Sequence, residues 1–257
     1  MTPVSEGNLP ENEGSRHRGP VSSLSGFKLE KVVFEVKYPH AWLLWDRAGT
    51  IWEAVRRKWH DFDLKPLLAE PSRCAFRMGT DFDLSVELEA TRLVSYFPEL
   101  SMERPSEIAR ELIELVSKVL ELSAFSRVGL RLLFFQEFPD RVSATTELLK
   151  TELIHLHEGR HFGSDGDPVS SECSVSWEMK ARGIRVLVGY QHRQFKMEAP
   201  LELTALSPQD FSYHGLVFDI DFYTTTSIDV GQLGVQDWIS QNVHVLRRDI
   251  DSFLWGG

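Results

Sequence analysis

Two pairs of charged residues in this chain have a spacing that could do chemistry. Asp219 and Asp221 stand in the run Phe218-Asp219-Ile220-Asp221-Phe222-Tyr223. Residues two apart in a strand share a face, so the carboxylates point together while Phe218, Ile220 and Phe222 point the other way, into a core. Two neighbouring carboxylates can hold a divalent cation or serve as acid and base, and a metal-dependent hydrolase or nuclease is one reading of them. Metal-dependent phosphoryl chemistry needs further carboxylates, and spacing brings none beside this pair. Arg127 and Arg131 flank Gly129 in Arg127-Val128-Gly129-Leu130-Arg131 and share a strand face in the same way. Two guanidiniums on one face suit a small anion, which makes an anionic-ligand sensor a second reading. If the two strands are neighbours, Arg131 reaches Asp219 or Asp221, and the charges form a structural ion-pair set instead. That third reading asks least of the chain.

Other chemistry finds less support. His155, His157 and His161 lie close together near Glu158, Asp165 and Asp167. On a helix His155 and His157 are about 200° apart and cannot share a metal, and no HExxH stands in the chain. No metal site and no cofactor is expected. A phosphate-binding GxxxxGK[ST] loop, a dinucleotide GxGxxG and a GxSxG nucleophile elbow are absent. The two cysteines, Cys74 and Cys173, form no CxxC pair and read as small apolar residues in a reducing compartment. Four tryptophans, Trp42, Trp45, Trp52 and Trp59, crowd one helical segment, and Trp255 lies near the last residue. One helix face cannot bury Trp42, Trp45 and Trp52 equally, so Trp42, Trp45 and Trp255 are candidates for a partner surface.

The elements that carry these residues follow from periodicity. Residues 1–25, rich in Pro, Ser, Gly and Glu without a hydrophobic period, read as a disordered tail. Lys28 to Tyr38 alternates as a strand, and Ala41 to Trp59 has helical spacing. Cys74 to Met78 and Asp83 to Tyr96 read as two strands. A helix opens at Arg104-Pro105-Ser106-Glu107, and Val128 to Phe138 is a strongly apolar strand. This first half has the order βαββαβ, ferredoxin-like. The second half repeats such material: a helix from Val142 to about His157, a hairpin of Cys173–Lys180 and Ile184–Met197, a strand Leu216–Tyr223 and a helix from Val235 to Leu254. The expected fold is therefore α+β, an antiparallel sheet with helices mainly on one face. Residues 26–257 form one fused domain with sub-units 26–138 and 139–257, since no Gly, Ser or Pro-rich linker parts them.

The strand Phe34-Glu35-Val36 before the Trp52 helix, the Arg127–Arg131 motif and the late Asp219-Ile220-Asp221 strand before a long helix resemble a sporadically distributed family of uncharacterised bacterial proteins. That family carries an R-x-G-L-R strand and a D-I-D strand before its last helix. Here Leu132 and Leu133 stand where the family continues with Tyr and Asn, which removes polar groups from that strand. The resemblance implies a bacterial source and no particular activity.

The bulk charge narrows the function. A formal net charge of −10 disfavours nucleic acid and anionic membranes, whose binding is dominated by phosphate neutralisation. No apolar run is long enough to span a bilayer and no secretory leader is evident, so a cytoplasmic location is expected. The absence of catalytic motifs and the wealth of aromatics favour a non-catalytic binding or interaction module over an enzyme, with a protein partner or self-association.

Overall fold

In a computed structural model, the structure describes residues 23–24, 26–70, 72–79, 83–89, 92–98, 103–154, 171–197 and 209–256. The disorder expected of residues 1–22 lies outside that set. Ser23 and Leu24, assigned to the tail by composition, instead form a short strand, β1 (Ser23–Leu24), paired with Lys28 and Phe27.

The first half begins with β2 (Phe27–Lys37), whose alternation turns Leu29, Val32, Phe34 and Val36 into the core. Pro39 follows, and α1 (Leu44–Lys58) buries Leu44, Ile51 and Val55, with Arg56, Arg57 and Lys58 in its last turn. A meander follows: β3 (Asp63–Glu70), β4 (Arg73–Gly79), β5 (Asp83–Glu89) and β6 (Arg92–Pro98). The helix α2 (Glu103–Leu120) closes the half, and the long strand after it, counted with sub-unit 26–138 from element order, opens the second half instead. Four strands, not two, therefore stand between the first two helices, so this half departs from the ferredoxin-like order. β3 escapes notice because Pro66 and a bulge break its alternation. The run from Asp83 to Tyr96 is a hairpin read as one strand, because Ala90 and Thr91 carry none of the usual turn residues.

The second half has the same plan with one strand fewer. After a two-residue strand β7 (Ala124–Phe125) come β8 (Arg127–Phe138) and α3 (Arg141–Lys150). Asp140 caps α3, its carboxylate accepting the Ser143 amide at 2.7 Å. The meander β9 (Glu172–Met179), β10 (Arg182–Met197) and β11 (Gln209–Thr224) leads, through a short β12 (Ile228–Asp229) paired with β7 and a 3-10 turn, into α4 (Val235–Trp255).

All the long strands join one antiparallel sheet in the order β3-β4-β5-β6-β2-β8-β11-β10-β9. In each half the last strand of the meander returns beside the first strand, and the two first strands, β2 and β8, pair at the centre. The halves are thus two copies of a strand–helix–meander–helix unit laid antiparallel.

One sheet face is packed by helices. Trp238 of α4 meets Phe34 edge-on at 6.3 Å, Phe253 of α4 lies 6.3 Å from Phe218, and Trp52 of α1 lies 5.8 Å from Phe76. α3 sits on β8, β10 and β11, and α2 packs between α1 and α4. The core fills this layer with Leu29, Phe34, Leu130, Phe134, Phe218 and Phe222, all fully buried. No described helix is long and apolar enough to cross a membrane.

Candidate functional site: the open face of the sheet

The face away from the helices carries the charged residues singled out by spacing. Alternation decides this locally. On β8, Val128, Leu130, Leu132 and Phe134 enter the core, which turns Arg127, Gly129, Arg131 and Leu133 outward. On β11, Phe218, Ile220 and Phe222 enter the core and turn Asp219 and Asp221 to the same outer side. β8 and β11 are neighbours, with Arg131 directly opposite Asp221 and Leu133 opposite Asp219.

The four charges come together as two pairs, each reaching along the ladder and not straight across it. Arg131 donates from Nε to Asp219 Oδ1 at 2.7 Å, and its Nη2 donates to Oδ2, a bidentate fork. Asp219 is 5% exposed, whereas the Arg131 side chain is 48% exposed. Arg127 donates to Asp221 Oδ2 at 2.7 Å and, from its other Nη, to Glu35 Oε1 on β2 at 2.7 Å. Arg127 thus ties three adjacent strands together. Its path depends on Gly129: a Cβ there would come within 2.6 Å of Arg127 Nη1. The guanidinium also lies 5.2 Å from the Tyr223 ring.

The lattice extends where spacing gave no hint. Arg92 on β6 forks onto Glu89 at 2.9 Å through two bonds and stands 3.8 Å from Glu35. Lys37 lies 3.6 Å from Glu35, and Lys31 lies 4.3 Å above the Tyr96 ring. At the other end of the face Arg193 of β10 grips both oxygens of Glu30, at 2.6 and 2.7 Å, across the Phe135 ring. Glu30 sits at a bulge in β2 where the register with β8 shifts. Glu35, Arg92, Lys31 and Lys37 escape notice because their role depends on which strands are neighbours. The alternation of β2 does reveal that Lys31, Glu35 and Lys37 share a face.

Burial and pairing set the electrostatics. The Asp221 carboxyl is held above its ordinary 3.8, because burial outweighs the nearby Arg127. Hydrogen bonding from Arg92 holds Glu89 below its ordinary range. Burial, then the charge of Glu87, pushes the Tyr96 hydroxyl up.

Between β6, β2 and β8 the face dips into an open depression of about 570 Å³. Five cations line it, Lys31, Lys37, Arg92, Arg127 and Arg131, against two carboxylates, Glu35 and Asp221. A divalent cation at Asp219 and Asp221 would have to displace two guanidiniums. Among the described residues no group of three or more His, Cys, Asp or Glu could hold a metal ion.

The aromatic candidates lie elsewhere. Trp42 and Trp45, at the start of α1, are 72% and 56% exposed, and Trp255 at the end of α4 is 41% exposed. His40 stacks on Trp42 at 4.1 Å. Trp59 is buried, and Trp52 packs against the core. The histidines 155, 157 and 161 lie outside the described residues. Cys74 and Cys173 are free and half-buried on β4 and β9, strands far apart in the sheet. Burial pushes the Cys74 thiol up to about 11, and it lines an apolar groove of about 360 Å³ between α1 and the β3–β4 hairpin.

Compared with protein-family models, with curated proteins and with solved structures, this chain finds no match.

Proposed function

We propose that this protein is a non-catalytic binding module that receives an acidic segment of a protein partner on the open face of its sheet, over the depression between β6, β2 and β8. The observation that supports it is the sign of the charge there. In a chain of net charge −10, five cations and two carboxylates line that hollow. Arg127, held by Asp221 and Glu35 and the least exposed of the arginines there, serves as the floor. Lys31, Lys37 and Arg92 reach into water, where Lys37 and Arg92 can exchange their present carboxylates, Glu35 and Glu89, at small cost. An extended acidic segment would lay carboxylates along these three cations and meet Tyr96 and Val33 between them. Charge complementarity of this kind speeds encounter and selects the partner's sign more than it adds affinity. The bacterial family resembled by the Arg127–Arg131 and Asp219–Asp221 motifs is likewise proposed as its kin.

Fluorescence anisotropy with a labelled oligoglutamate peptide tests the reading. Binding is expected, weakening as salt is raised, and Lys37→Glu combined with Lys31→Glu is expected to weaken it by about tenfold or more. A serine–glycine peptide of the same length is expected not to bind. Equal affinity for both peptides, or indifference to the double charge reversal, would contradict the proposal.

A further inference from the structure

The sheet has two outer edges, and they are built differently. On β3, Pro66 has no amide to donate, and the register with β4 slips between Pro66 and Leu68. A proline and a bulge keep a second chain from adding to that edge. β9 has neither. It pairs with β10 from Glu172–Gly189 to Met179–Arg182 without a break, and among the described residues nothing pairs with its outer side.

The direction of its backbone groups follows from one bond. The Tyr190 amide donates to the Ser171 carbonyl at 3.2 Å. By antiparallel alternation Cys173, Val175, Trp177 and Met179 turn their backbone groups toward β10. Glu172, Ser174, Ser176 and Glu178 then aim theirs off the edge. On the helix side of the same strand Trp177 and Met179 are 43% and 53% exposed. A regular edge with an exposed apolar row is a template for another strand.

We infer that β9 is a self-association edge, to which a second copy of this chain adds its own β9 antiparallel about a two-fold axis at Ser176. The side chains select that register. An axis at Val175 would set Glu172 against the partner's Glu178, like charges directly opposed. An axis at Trp177 would shorten the shared ladder. An axis at Ser176 sets Glu172 against the partner's Lys180, Val175 against the partner's Trp177, and Cys173 against the partner's Met179. Two apolar pairs on either side of the axis then meet, with an opposite-charge pair at each end where Lys180 follows β9, Ser174 stands opposite the partner's Glu178, and the exposed Trp177 and Met179 are covered. The contact is isologous and closes on itself. The sheet runs on through both copies, with all helices on one side and both open faces on the other. This inference does not rest on the acidic-partner reading, since β9 lies at the far edge from the depression.

Light scattering on the full chain over a concentration series is expected to give twice the chain mass. Ser176→Pro removes an amide that points away from β10, so a monomer with the wild-type circular dichroism and melting temperature is expected. Lys180→Glu is expected to weaken the dimer about tenfold, and adding Glu172→Lys to restore it. In a Cys173→Ser chain, Ser176→Cys is expected to cross-link two copies on oxidation, because the two residues face each other across the axis. A monomer at every concentration, or a dimer indifferent to the charge swap and unable to cross-link at Ser176→Cys, overturns the inference. If Ser176→Pro fails to fold, the charge swap and the cross-link decide. A dimer that forms while oligoglutamate fails to bind upholds this inference and removes only the function proposed above.

Discussion

The Asp219 carboxylate is buried with both oxygens on the Arg131 guanidinium, whose own side chain is half in water. An Arg131→Ala chain keeps that carboxylate away from solvent without its partner, and removing one member of such a pair costs about 2–4 kcal/mol. The loss is expected as a lower urea midpoint at unchanged slope; a shift within error of zero would mean that water already reaches Asp219 freely. Asp221 differs, since burial holds its carboxyl above the ordinary 3.8. The folded chain therefore binds that proton more tightly than the unfolded chain. Its contribution to stability is fully present below 3.8 and is lost as pH rises through the folded value. Asp221→Asn removes this titration, while Arg127 keeps Glu35. Urea melts of wild type and Asp221→Asn are expected to diverge in the variant's favour across the window from the ordinary 3.8 up through the raised folded value. A constant difference across that window would contradict the burial argument. At this scale the sequence is legible where strand alternation operates: the outward sorting of Arg127, Arg131, Asp219 and Asp221 follows from the greasy residues between them. The tie from Arg127 to Glu35 is not legible, because it joins residues far apart in the chain that meet only once β2 and β8 have paired.

At the scale of elements, a single glycine sets how closely two strands of the face approach. Gly215 of β11 stands where a Cβ would come within 2.2 Å of the Phe135 ring and 2.5 Å of the Gln136 carbonyl oxygen on β8. The ring can move, but the carbonyl belongs to the ladder. Gly215→Ala is therefore expected to destabilise the β8–β11 pairing by about 1–3 kcal/mol, with the amides of β11 near Gly215 exchanging faster than those near Asp219. Uniform exchange along β11 would refute the close approach as its cause. The same scale shows where periodicity fails. The long apolar elements β8, β11, α2 and α4 announce themselves by unbroken patterns. β3, a broken and largely exposed edge strand, does not, and the β5–β6 hairpin lacks turn chemistry. These two omissions hide the four-strand meander and give the first half a shorter order than it has. The hairpin of β9 and β10 turns at Lys180 and Ala181, so Arg182 and Gly183, which lie between the two strands expected from the pattern, already belong to β10.

For the whole molecule, the antiparallel pairing of β2 with β8 makes two similar units share one sheet, and the four helices among the described residues cover one side of it. Both halves turn most of their core residues to that side, which leaves the other side to carry the charged lattice among a few apolar residues such as Val33 and Leu133. A chain that is acidic in total then presents a cationic hollow at its centre, because Lys31, Lys37 and Arg92 gather where the two units join. That asymmetry invites a partner, and it depends on register across four strands, which no single stretch of sequence displays. Hydrogen exchange of the full chain with and without saturating oligoglutamate peptide tests it most directly. Slowed exchange confined to β6, β2 and β8 is expected; slowed exchange on α1 to α4, or none anywhere, would contradict the assignment of the open face as the binding surface.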